Sequence, residues 1–125
     1  MISYIAIFIG GGIGAVLRYL ITFLSNKIFG SEYPYGTFII NIIGCLFLGF
    51  IIAVAANKDM LHSNRVLFLT IGIAGGFTTF STFSYESLTL MRKGQVLDCM
   101  SYLFLSPVLG LISVYIGHHL GKFYS

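Results

Sequence analysis

The stretch GGFTTFSTFSYES, residues 75–87, carries six Ser or Thr hydroxyls, phenylalanines at 77, 80 and 83, and the carboxylate of Glu86. It lies where the hydropathy pattern demands a membrane span. A ridge of Phe at every third position would ordinarily be packing surface, but here the rings alternate with hydroxyls, which wastes that surface. Aromatic rings have positive edges, and Ser and Thr donate O–H. Turned towards a narrow path, both favour an anion. A cation pore would more naturally offer a ring of carboxylates, and this chain has one deep acid. An anion-conducting pore is the chemistry these residues suggest. If the segment resumes as a helix after its glycines, Thr79, Thr82, Phe83 and Glu86 share one face.

Other polar residues at bilayer depth are few, and each is costly unless partnered. Asn41 is the strongly polar residue inside GTFIINIIGCLFLGFIIAVAA. It either makes an interhelical hydrogen bond worth ~0.6 kcal/mol or presents its amide donors to a cavity. Arg18 is either an arginine snorkelling to the interface or a fixed positive charge at the mouth of an anion pathway; position alone does not choose. Tyr102, Ser106, Gly110 and Ser113 recur at helical spacing, with Pro107 beside them. Such a stripe can glue helices or line a wet path. The third-span hydroxyls add weight to the wet path.

Several chemistries are excluded. GGGIG (residues 10–14) lacks the spacing and the preceding strand of a dinucleotide loop; Gly10 and Gly14 instead give the small-xxx-small spacing of close helix packing. His118 and His119 are adjacent, hence about 100° apart on a helix, and with loop His62 they form no metal site. The acids are Glu32, Asp59, Glu86 and Asp98, and no nucleophile–base–orienter set surrounds them, so the chain is not expected to be an enzyme. Cys45 and Cys99 fall in apolar segments, where free Cys acts as a small hydrophobe. The net charge of +3 comes from scattered basic residues, which suit anionic lipid headgroups rather than nucleic acid.

The elements that must position these groups follow from composition. Of 125 residues, 57% are hydrophobic and 9% charged, whereas a soluble domain has about 25% charged. At ~20 residues per crossing the chain is an all-α membrane protein, a single domain over residues 1–125 with four transmembrane helices at about 3–23, 36–56, 66–91 and 97–120. No Lys or Arg precedes the first apolar run, which reads as a retained span rather than a cleaved signal. The third segment is longer than a straight helix needs. Gly75-Gly76 followed by β-branched Thr78 and Thr79 predicts a helix broken at the glycines. Irregular backbone at that depth must be buried or line a cavity, and its carbonyls can coordinate a cation.

Four spans put Lys58, Arg65 and Lys122 on one side and Lys27, Arg92 and Lys93 on the other. Orientation follows an excess of Lys and Arg in cytoplasmic loops; here there is none. Either one loop dominates, or the chain inserts both ways and pairs as an antiparallel homodimer.

Three segments together, GGGIGAVLRY (10–19), YPYGTFIINIIG (33–44) and above all GIAGGFTTFSTF (72–83), resemble the Fluc family of fluoride channels. The resemblance extends over essentially the whole chain. It implies a dual-topology homodimer in the plasma membrane of a bacterium, with two antiparallel fluoride pathways lined by both subunits. It would make Phe80 and Phe83 the rings whose edges face fluoride and Asn41 a pore donor. Thr79, Ser81 and Thr82 would belong to the polar track, with Tyr102 and Ser106 on the fourth-span stripe, where Gly110 stands in place of a further hydroxyl. Arg18 would lie near a vestibule and Glu86 beside the pathway. Backbone carbonyls of Gly75 and Thr78 would hold a structural sodium ion at the dimer centre. The implied function is passive export of fluoride without ATP. Two rivals are a small drug–proton antiporter, for which Glu86 is the one candidate carboxylate and Trp is lacking, and a non-transporting assembly subunit, which leaves the hydroxyl–Phe alternation unexplained.

Overall fold

With no water in the hydrocarbon to satisfy backbone N–H and C=O groups, apolar segments of this length close their hydrogen bonds internally as helices. The computed structural model describes residues 1–124, and among the described residues there is no strand. Helix α1 (Ile2–Phe29) ends at Gly30, whose φ of 78° lets its N–H reach back to Asn26 O at 3.0 Å. Helix α2 (Tyr35–Asn57) starts directly after Pro34. The third span, Asn64–Arg92, is made of pieces. A one-turn helix α3 (Asn64–Leu67), capped by Ser63 Oγ accepting from Val66 N–H at 3.3 Å, leads into a π-wound segment, Phe68–Ala74. Helix α4 (Gly75–Phe77) follows, then an interruption at residues 78–80, then α5 (Ser81–Arg92). Gly94, with φ 75°, makes the turn into α6 (Val96–Tyr124), which tolerates Pro107 in its interior. The helices of all four spans are long and apolar enough to cross a bilayer.

The third helix is broken as the sequence predicts, but not where the glycines stand. Gly75 keeps helical dihedrals (φ −64°, ψ −40°), and the chain leaves the helix at Thr78 (φ −78°, ψ 156°). Gly76 is used for packing instead: a Cβ there would sit 3.0 Å from Gly11 Cα on α1. The π-winding upstream has a local cause. Thr70 Oγ1 donates to Val66 O at 2.7 Å, competing for a carbonyl that a helical N–H would take, and Gly75 N–H reaches back to Thr70 O.

Lipid tails are as apolar as the side chains, so helices associate here by close contact rather than by expulsion of water. Glycines supply that contact at two seams. Between α1 and the third span, a Cβ on Gly10 would lie 2.6 Å from Phe68 O, and one on Gly14 would lie 2.8 Å from Phe77 N. Between α2 and α6, a Cβ on Gly49 would lie 2.9 Å from His118 N, and one on Gly121 2.6 Å from Phe50 O. The first seam fixes the upstream half of the broken span; the second presents the α6 stripe to α2.

Gly12, by contrast, has nothing within 4 Å of the position a Cβ would take. Gly10→Ala is therefore expected to destabilise the chain by about 1–3 kcal/mol through overpacking, with Gly12→Ala within about 0.5 kcal/mol of the parent, as read from unfolding in bicelles.

Candidate functional site

The interruption at residues 78–80 is clasped from α2. The Asn41 side-chain amide pairs with the backbone of Thr79 in both senses: Thr79 N–H donates to Asn41 Oδ1 at 2.9 Å, and Asn41 Nδ2 donates to Thr79 O at 3.1 Å. The amide thus replaces the neighbouring strand that an extended residue would otherwise need. Of the two roles open to Asn41 from sequence, the interhelical bond is made here, and the NH₂ group keeps a second hydrogen. Just beyond, Thr82 N–H donates to Thr79 Oγ1 at 3.3 Å, and the Thr79 and Ser81 hydroxyls lie 3.5 Å apart.

This clasp separates two spaces. On the α6 side lies a cavity of about 510 Å³, lined among others by Asn41, Gly75, Thr78, Phe80, Phe83 and Ser106. On the α1 side lie two crevices of about 230 and 190 Å³ that share Thr22 and Thr37. The inner one is lined by Arg18, Thr79 and Thr82, and the outer one by Glu86, Glu32 and Lys93. Thr79 lines both the α6-side cavity and the inner crevice. Arg18 is half-buried beside threonine hydroxyls rather than standing free at a helix end.

The rings form a continuous row. Phe80 and Phe83 have centroids 6.0 Å apart, Phe83 and Tyr102 4.8 Å, and Tyr102 and Tyr33 5.7 Å in an edge-on arrangement. Phe80 is 80% exposed in the single chain and Phe83 is partly buried against Tyr102. The α6 stripe divides by role. Tyr102, Ser106, Gly110 and Ser113 are all buried. Ser113 Oγ donates to Leu109 O at 2.7 Å, whereas Ser106 Oγ has no hydrogen-bond partner and faces the cavity.

Glu86, the one deep acid, is held on both oxygens. Thr37 Oγ1 donates to Oε1 at 2.7 Å, and the Tyr102 hydroxyl donates to Oε2 at 2.8 Å. A carboxylate at this depth is costly unless so paired. Thr37 was not singled out from sequence; its position one turn before Asn41 on α2 is the signal that could have found it. Tyr33, whose hydroxyl lies 3.4 Å from Ser101 Oγ and whose ring meets Tyr102, was missed as well. It sits inside the YPYG turn. His119 stacks on Tyr115 at 6.1 Å and meets Phe123 edge-on at 4.9 Å. Among the described residues no cluster of His, Cys, Asp or Glu is arranged to hold a metal.

Residues 5–118 match the family described as "CrcB-like protein, Camphor Resistance (CrcB)". The chain belongs to the CrcB-like family. Among its relatives, a protein of Clostridium novyi (strain NT) is 47% identical over 113 residues, covering 90% of this chain and 88% of the relative. One of Chloroflexus aurantiacus is 44% identical over 124 residues, 99% of this chain and 98% of the relative. One of Dehalococcoides mccartyi is 43% identical over 113 residues, 90% and 87%. Each carries the name fluoride-specific ion channel FluC. The CrcB-like family is one of ion channels rather than enzymes, and with its four spans the chain is a multi-pass integral protein of the cell membrane.

Thr37 and Tyr102 act on one carboxylate, so their effects are expected to be non-additive. Thr37→Val and Tyr102→Phe should each cost about 1–2 kcal/mol, and the double variant should depart from their sum by at least ~0.5 kcal/mol, measured by unfolding in bicelles.

Proposed function

We propose that the chain is a fluoride-selective channel that exports fluoride passively, as a dual-topology homodimer with two antiparallel pores. The observation that carries this reading is the Asn41–Thr79 junction, which lies between the Arg18 crevice and the cavity of Phe80, Phe83 and Ser106. Along that line the polar groups are donors: hydroxyls of Thr79, Ser81, Thr82 and Ser106, the amide of Asn41, and ring edges. The one carboxylate nearby already has both oxygens occupied. That disfavours a drug–proton antiporter, which needs a free one. The relatives' name supplies the ion.

The chemistry suits it. Fluoride is small and strongly hydrated, so entry requires dense, rigid donors that replace water. Arg18 raises the local anion concentration in a narrow crevice. Phe80 and Phe83 then turn positive edges to the ion, and Ser106 Oγ, unpartnered and facing the cavity, takes it onward past Tyr102. Glu86, bound by Thr37 and Tyr102, orients their hydroxyls beside the path. The gradient drives flow, without ATP.

In this reading the homodimer is antiparallel, each chain acting as one four-span domain, as the three-against-three balance of loop charges favours. The Gly75 and Thr78 carbonyls fit a sodium ion. Both residues line the α6-side cavity; at Gly75 a Cβ would meet only Thr70 O, at 3.7 Å, and the extended Thr78 turns its carbonyl out of the helical ladder. Two copies would offer four hard oxygens. A bound sodium ion would join the chains by neutralising those dipoles.

The test is fluoride efflux from liposomes, read with a fluoride electrode beside a chloride control. The parent protein should release fluoride and not chloride, without a proton gradient. Phe80→Ile and Phe83→Ile should each lower fluoride flux about tenfold, the worth of ~1.4 kcal/mol of lost edge stabilisation, while the dimer persists; unchanged flux sinks the ring-edge assignment. Labelling of Lys122 from both membrane faces should modify about half the copies from each side if insertion is dual. Modification from one side alone removes the antiparallel dimer.

A further inference from the structure

In a continuous helix each N–H serves the carbonyl four residues before it. Gly75 C=O would take Thr79 N–H, and Thr78 C=O would take Thr82 N–H. In this chain both donors are diverted to side chains: Thr79 N–H to Asn41 Oδ1 at 2.9 Å, and Thr82 N–H to Thr79 Oγ1 at 3.3 Å. Carbonyls on either side keep their partners. Ala74 O accepts from both Thr78 N–H, at 3.0 Å, and the Thr78 hydroxyl, at 2.8 Å. Phe80 O accepts Ser84 N–H at 2.9 Å and the Ser84 hydroxyl at 3.0 Å. The diversion therefore falls on the two residues whose carbonyls fit a hard cation, with their neighbours left paired.

We propose that Asn41 and Thr79 are the positioning residues of the cation site: their side-chain oxygens take the backbone N–H groups that would otherwise close on Gly75 and Thr78. This rests on the reading of those carbonyls as sodium ligands. The same two side chains face the anion path, so the cation and anion sites share their supports. Asn41 gives one amide hydrogen to Thr79 O and keeps another. Removing either oxygen lets the backbone close and withdraws a ligand.

Thr78-Thr79 is the one Thr-Thr pair in the sequence. Labelling with ¹³C-carbonyl and ¹⁵N threonine therefore isolates the Thr78 carbonyl and the Thr79 amide by solid-state NMR of the full chain in bilayers. The readouts are the Thr79 amide shift and the sodium concentration that half-moves the Thr78 carbonyl when sodium replaces choline. Asn41→Leu should shift the Thr79 amide and raise that sodium midpoint about tenfold, the usual cost of losing a support behind a ligand. Asn41→Asp, which keeps an acceptor oxygen, should hold the parent midpoint. With the label pair changed to match, Thr79→Val should raise the midpoint and Thr79→Ser should not. That second pair decides the matter if Asn41→Leu does not fold. A responsive parent with Asn41→Leu and Thr79→Val at the parent midpoint, or an unmoved Thr79 amide in Asn41→Leu, overturns the proposal. A parent carbonyl indifferent to sodium overturns the cation reading on which it stands.

Discussion

A backbone that leaves the helix inside a bilayer exposes groups that lipid cannot satisfy, and each costs several kcal/mol if left alone. The third span leaves the helix at residues 78–80, and the Asn41 amide answers that cost by pairing with Thr79 in both directions. The other packing can be read as holding the two parties to that pair in place. The glycine seam on α1 fixes the chain up to Phe77. The seam between α2 and α6 sets α2 itself, and so the depth of Asn41. On the far side, Phe83 leans on Tyr102 from α6, which anchors the start of α5. A polar pair that would be marginal on a water-exposed surface is decisive here because nothing else can replace it.

The same economy governs charge. Glu86 at membrane depth is neutralised by hydroxyls from two different helices, α2 and α6, so the carboxylate joins them while leaving no oxygen free. The polar groups nearer the break are donors, and the half-buried Arg18 lies on the α1 side of it. Electrostatic sign along this line is thus set by which atoms remain unspent after folding. Ser106 and Ser113 show the distinction, being on one face of one helix with one hydroxyl open and the other returned to its own backbone.

Much of this was legible in the sequence, for physical reasons. Span number followed from length and apolarity, which the bilayer enforces. Asn41, Arg18, Glu86 and the hydroxyl–Phe stretch stood out because polar groups at depth are costly and therefore rare. The glycines of the third span misled about the place of the break, because their freedom from a Cβ is used for approach to α1 rather than for unusual dihedrals; the β-branched Thr78 is where the helix ends. Thr37 was hidden because a threonine near a helix start is ordinary until its partner is known. The π segment was hidden more deeply. It depends on the Thr70 hydroxyl reaching Val66 and on Gly72 meeting Gly10, facts of tertiary fit with no local pattern.

That π segment bears on how such a sequence can change over generations. A π turn holds one residue more than the helix around it needs, so deleting a single residue between 68 and 74 would leave a locally sounder helix. Yet everything downstream would rotate by roughly 100°. Phe80 and Phe83 would leave their cavity, and Thr79 would leave Asn41. Substitutions in this stretch can be absorbed one at a time, but its length cannot. The register of the span is stored in an apparent imperfection, and lineages that repair it lose the pathway.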